Sequence, residues 1–119
     1  MDSIIGQRVL AFARHASPEG VTAQFELLDQ RAGSAAVCVT QRISQINGTP
    51  CISRESIRSI IDVAGKGPAI TFLLVLDPSR LTRRGMDHLH HLLMKLAQAR
   101  ISVVFADQLS AVTGNWAKH

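Results

Sequence analysis

A chain of 119 residues is long enough for one compact domain that buries about two-thirds of its unfolded surface. With 46% hydrophobic and 18% charged residues it falls outside the disordered, collagen-like and low-complexity classes. The formal net charge of +4 is a modest surplus carried by ten arginines against three lysines, and the planar guanidinium fork suits bidentate contact with phosphate.

Two cysteines, Cys38 and Cys51, are too few for a disulfide scaffold and lack the spacing of a zinc site, so free thiols are expected. No apolar run reaches the roughly 18 residues a bilayer span needs. The opening Met1 to Gly6 has neither the basic start nor the apolar stretch of a secretory signal. The expectation is a single domain over 1–119, cytoplasmic, with no membrane association.

In chain order, Arg8 to Arg14 is a nearly continuous apolar run of the kind buried on both faces of a parallel sheet. Val21 to Arg31 follows as a helix, with Val21, Phe25 and Leu28 at helical spacing and Gly33 as its stop. Ala35 to Val39 reads as a second strand, and the polar stretch from Thr40 to Pro50, with the turn signal Asn47-Gly48, reads as a long loop. Ser53 caps a helix whose face is Ile57, Ile60, Ile61 and Ala64, ended by Gly65 to Pro68. Ala69 to Leu76 is the most apolar stretch and a central strand. Beyond Asp77 to Arg84, the stripe Met86, Leu89, Leu92, Leu93 and Leu96 marks an amphipathic core helix, and Ile101 to Ala106 is a fourth strand. Alternation of strand and helix predicts an α/β domain with right-handed crossovers and a largely parallel sheet of four strands.

In such a sheet the functional crevice lies at the carboxyl ends of the strands. Those ends carry Arg14-His15 and Arg80 to Arg84, so the crevice is cationic. That composition excludes a receiver domain, which needs acidic residues there. The GxGxxG and GxxxxGK[ST] phosphate loops are missing, and Gly65-Lys66-Gly67 satisfies neither. Cations at the head of a helix starting near Arg80, Arg83 and Arg84 oppose its dipole, which points to a bound anion.

These residues form an ordered set: Phe12-Ala13-Arg14-His15-Ala16 after the first strand, Gln24 in the first helix, Arg54 opening the second, and Ser79-Arg80-Leu81-Thr82-Arg83 after Leu73 to Leu76. The set resembles the catalytic domain of the resolvase/invertase-type serine recombinases over about residues 8 to 107. The resemblance implies a resolvase-like, three-layer α/β fold with a mainly parallel four-stranded sheet in the order 2-1-3-4, and DNA strand cleavage and rejoining without metal or other cofactor. In that chemistry a serine hydroxyl attacks a phosphodiester, forms a phosphoserine link and frees a 3′-hydroxyl, while arginines stabilise the transferring phosphoryl group. The matching catalytic positions are Arg14, Arg54, Arg80 and Arg83, and the residues expected to bind DNA phosphate are Arg14, Gln24, Arg80, Arg83 and Arg84. The implied partner is DNA, with a homodimer or tetramer as the assembly.

The chain departs from the family pattern at the nucleophile. Ala16 stands in the slot of the serine and has no hydroxyl, so the chain is expected to be inactive in this form. Ser17 is the less favoured substitute, because neighbours on a strand face opposite ways and Ser17 then points away from Arg14. Asp77 lies two residues before the slot beside the first arginine of the second motif, where this chain has Ser79. Only Asp107 to His119 follows the fourth strand, so no DNA-recognition domain is expected and DNA binding should be weak and non-specific. Two readings stand: a recombinase catalytic domain lacking its nucleophile, and a degenerate, non-catalytic interaction module with the same fold. His88, His90 and His91 lack further ligands at zinc-site spacing and are read as a solvated helix face, not a metal site. Trp116 either covers the sheet or lies in a tail.

Overall fold

A computed structural model of the chain describes residues 9–65 and 71–109. The elements are β1 (Val9–His15), α1 (Pro18–Ser34), β2 (Val39–Ile46), α2 (Arg54–Ala64), β3 (Thr71–Val75), α3 (Met86–Gln98) and β4 (Ile101–Phe105), with 3₁₀ turns at Pro78–Arg80 and Ala106–Gln108. All strand pairs are parallel and the sheet order is β2-β1-β3-β4, as the sequence predicts. Trp116, Arg8 and the segment around Lys66 to Ile70 lie outside the described residues.

Alternation along the two central strands divides the core. Leu10, Phe12, Leu73 and Val75 face α2 and α3, packing with Ile57, Ile60, Leu89, Leu92 and Leu96. Val9, Ala11 and Leu74 face α1 and pack with Leu28 and Ala32. From Val9 to Arg14 every residue of β1 is buried, because strands flank it on both sides and helices cover both faces. Among the described residues no helix is long and apolar enough to cross a membrane.

Two local expectations are corrected. The second strand is Val39–Ile46, not Ala35 to Val39. As an edge strand with β1 on one side only, it can expose Thr40, Gln41, Arg42 and Ser44, so it lacks the apolar run of a central strand. The apolar residues before it serve the turn after α1, where Ala36 takes the left-handed conformation at φ 58° and Val37 is buried. The buried stripe of α1 is Val21, Gln24, Leu28 and Ala32, with Phe25 half-buried beside it. The third helix starts later than a helix beginning at Arg80 requires: Gly85, at φ 109°, precedes Met86. Arg80 therefore sits on a 3₁₀ turn, and Arg83 and Arg84 in the connection before α3, so none of them is in the first turn of that helix.

Candidate functional site

The site begins where β1 outruns β3. Pairing of these strands ends at Phe12 with Val75, while β1 continues to His15. The backbone groups of Arg14 point, like those of Phe12, toward the side on which β3 has stopped, and they need other partners. Gln24, 4% exposed, supplies both: its Oε1 accepts from Arg14 N at 3.2 Å and its Nε2 donates to Arg14 O at 2.7 Å. A polar residue within an apolar helix stripe thus completes the sheet in place of a strand.

The Arg14 side chain, on the α2/α3 face, is 5% exposed and ties together two loops. Its Nε donates to Arg80 O at 2.9 Å, one terminal nitrogen to Ser79 O at 2.6 Å, and the other to Thr49 O. Three of five N–H groups are taken up by carbonyls, leaving two.

The loop bearing Thr49 is itself organised by Gln45, a buried residue near the end of β2. Gln45 Nε2 lies 3.1 to 3.2 Å from Asn47 Oδ1, Thr49 Oγ1 and Cys51 O. Its Oε1 accepts from Ser53 N and Ser56 Oγ, both at 2.8 Å, at the head of α2. An antiparallel bridge between Cys51 and Thr82 then joins the β2–α2 and β3–α3 connections. Arg83 N donates to Pro50 O at 2.8 Å within this junction, which fixes the Arg83 backbone beside the strand ends.

Asp77, displaced in sequence, meets the arginine motif in space. Its carboxylate accepts from Ser79 Oγ and lies 3.6 Å from Arg80 Nε. That separation is an ion pair in distance and too long for a hydrogen bond, so the buried Arg80 Nε is left without an acceptor.

These segments enclose a cavity of about 190 Å³ lined by Arg14, His15, Ala16, Asn47, Gly48, Thr49, Arg80 and Arg83. Burial lowers the pKa of Arg14 from its ordinary value and repulsion from Arg83 lowers it further; Cys51 opposes this, and Arg80 adds the smallest lowering. The group stays protonated at neutral pH, as arginine does.

Ala16 contributes to the wall; Ser17 is outside the lining. Ser17 instead caps α1, its Oγ accepting from Gly20 N at 3.1 Å and standing 3.1 Å from His15 Nδ1. Ser17 N also donates to His15 Nδ1 at 3.0 Å, so that nitrogen is an acceptor and the neutral ring carries its proton on Nε2. Gly20 makes the arrangement feasible, since a Cβ there would collide with the His15 ring.

Not all of the sequence-selected residues meet. Arg14, Arg80 and Arg83 share the cavity, whereas Arg54 lies on other hollows beside α2, and Arg84, exposed, is outside the lining. Gln24 is buried, holds the Arg14 backbone through Oε1 and Nε2, and is outside the cavity lining. His88 is held by Thr82, Oγ1 to Nδ1 2.6 Å, while His90 and His91 are exposed. Among the described residues no three His, Cys, Asp or Glu side chains are grouped to hold a metal ion. Sequence reasoning missed Gln45, Thr49 and the lining role of His15; the turn signal Asn47-Gly48 was the available pointer to that wall.

No family model matches the chain, and no curated protein sequence matches it. Solved structures do. The N-terminal catalytic domain of TP901-1 integrase superposes at TM-score 0.69 with 15% identity, covering 94% of this chain and 98% of that one. The C-terminal catalytic domain of ISC1926 TnpA, an IS607-like serine recombinase, gives 0.67 with 16% identity over 83% of this chain and 68% of its own. The corresponding domain of IS1535 TnpA, also IS607-like, gives 0.61 with 22% identity over 86% and 74%. The chain has the fold of serine recombinase catalytic domains.

Proposed function

We propose that this chain is the catalytic-domain part of a site-specific serine recombinase, acting in DNA recombination or integration, that grips a DNA phosphodiester but does not cleave it. The observation that carries the reading is the meeting of Arg14, Arg80 and Arg83 around one cavity with Ala16 in its wall. Gathered cations repel one another, and a bound polyanion relieves that repulsion. Arg14 uses three of its five N–H groups on carbonyls, so its charge stays within the lining beside Arg80 and Arg83. The likeness to recombinase and integrase catalytic domains supports the same reading.

In this proposal Arg80 and Arg83 hold the non-bridging oxygens, Arg14 contributes charge while keeping the two loops in register, and Gln24 positions Arg14. A serine at position 16 would attack phosphorus, form the phosphoserine link and release a 3′-hydroxyl; the methyl group of Ala16 has no electron pair for that bond. Ser17 is committed to its helix cap. Assembly of the chain as a dimer or tetramer belongs to the same proposal and is read by light scattering with and without DNA.

A second reading, a non-catalytic protein-interaction module, is favoured by one observation: three donors of Arg14 are spent on carbonyls, a structural use of the residue. Titration of duplex DNA at two salt concentrations separates the two. Binding that weakens at least about tenfold between 50 and 200 mM salt, the effect of two or more phosphate contacts, supports the recombinase reading. Undetectable binding at the lower salt, or an affinity that ignores salt, overturns it.

A further inference from the structure

We infer that the phosphate-binding surface does not end at the strand-end cavity but continues over the head of α2 and along the groove between α2 and α3, where Arg54, Arg58 and Lys95 take backbone phosphates flanking the one at Arg80 and Arg83. This rests on the proposed DNA-binding role and extends it to a path for the strand.

Continuity is the first observation. Asn47 lines both the strand-end cavity and a second hollow, of about 500 Å³, formed by the end of β2 and the first turn of α2. Arg54 lines that second hollow and also a third, of about 230 Å³, lined by Ile57, Arg58, Ile61 and Lys95. Two shared residues therefore set the three concavities next to one another in a row, the channel proposed for the strand.

Charge is the second. Arg54, Arg58 and Lys95 are exposed, and among the described residues none of them makes an ion pair. Arg54 and Arg58 stand one turn apart on α2, where like charges destabilise a helix. With the strand-end arginines they put six cations along the channel against one lining carboxylate, that of Glu55. Among the described residues Asp77 pairs with Arg80, and Glu55 is the one carboxylate in the lining, so the channel keeps an excess of positive charge. A phosphate backbone supplies counter-charge repetitively along a line, and the guanidinium fork matches it. Arg54, which does not reach the strand-end cavity, thereby acquires a role one hollow away.

The test uses the full chain and a fluorescent 20-base-pair duplex titrated across a salt series. Two charge-matched double variants are compared: Arg54→Gln with Arg58→Gln, and Arg31→Gln with Arg42→Gln on the α1 side of the sheet. The expected result is a slope of log affinity against log salt shallower by about 1.8 for the first pair, from two lost phosphate contacts, and unchanged within about 0.5 for the second. Equal losses in both pairs reduce the effect to net charge and overturn the inference. A slope lowered by Arg83→Gln but untouched by Arg54→Gln with Arg58→Gln overturns it while leaving the DNA-binding role intact, and a parent chain that binds no DNA removes both. Independently of folding in the variants, DNA should protect Lys95 from acetylation of the unaltered chain; Lys95 modified equally with and without DNA counts against the channel.

Discussion

Gln24 holds Arg14 by both of its backbone polar groups, at 3.2 and 2.7 Å, at the point where β1 extends past its neighbour β3. The contact couples the core to the site: a side chain from the α1 face fixes the backbone of a residue whose guanidinium works on the opposite face. Gln24→Leu keeps the bulk of the side chain and removes the amide, leaving a buried N–H and C=O of Arg14 unpaired. A loss of about 2–3 kcal/mol in unfolding free energy is expected from denaturant titration. A variant as stable as the parent would show that the Arg14 backbone finds other partners.

Arg14→Lys retains the charge but not the fork. One ammonium cannot reach Thr49 O, Ser79 O and Arg80 O together, so the two loops lose their common anchor. The expected cost is about 2–4 kcal/mol, with faster amide hydrogen exchange in residues 47–52 and 78–83 as its local signature. Exchange unchanged in both loops would place the anchor elsewhere, in the Cys51–Thr82 bridge.

Arg83→Gln separates binding from folding. Arg83 is exposed and lines the cavity, so unfolding free energy should change by less than about 0.5 kcal/mol, while DNA affinity at low salt falls several-fold and the salt slope drops by about 0.9. Affinity equal to the parent would remove Arg83 from the phosphate-binding set.

Ser17→Ala tests the assignment of Ser17 to the helix cap. Loss of the hydroxyl that accepts from Gly20 N is expected to lower stability by about 1 kcal/mol without affecting DNA affinity. A much larger fall in DNA affinity than in stability would bring Ser17 into the site.

Ala16→Ser adds one oxygen to an exposed position in the cavity wall and should leave stability within about 0.5 kcal/mol of the parent. Joined to the dimerisation and DNA-binding parts of an active recombinase, this variant should form a covalent protein–DNA adduct on a nicked substrate, whereas the same chimera with Ala16 should not. An adduct on the unaltered chain, mapped to Ser17 by mass spectrometry, would show a working enzyme with its nucleophile one residue later. No adduct from either chimera would favour the non-catalytic module.

Hydrophobic periodicity by itself marked the α/β alternation, and the family resemblance carried by the arginine motifs and Gln24 supplied the sheet order. Buried central strands and amphipathic helices must satisfy local patterns, and parallel strands joined by helices allow few arrangements. The sequence also located the arginines at the strand ends. Tertiary structure alone decided which of them meet: Arg80 and Arg83 join Arg14 because the Cys51–Thr82 bridge and the Arg14 guanidinium bind two loops distant in sequence, whereas Arg54, at a correct-looking position, points into another hollow. It decided the role of Gln24 as well, since a polar residue within an apolar stripe is explained only by a backbone left unpaired across the sheet. The edge strand β2 escaped the reading for the opposite reason: one exposed side lets Thr40 to Gln45 stay largely polar, and its pairing with β1 is non-local.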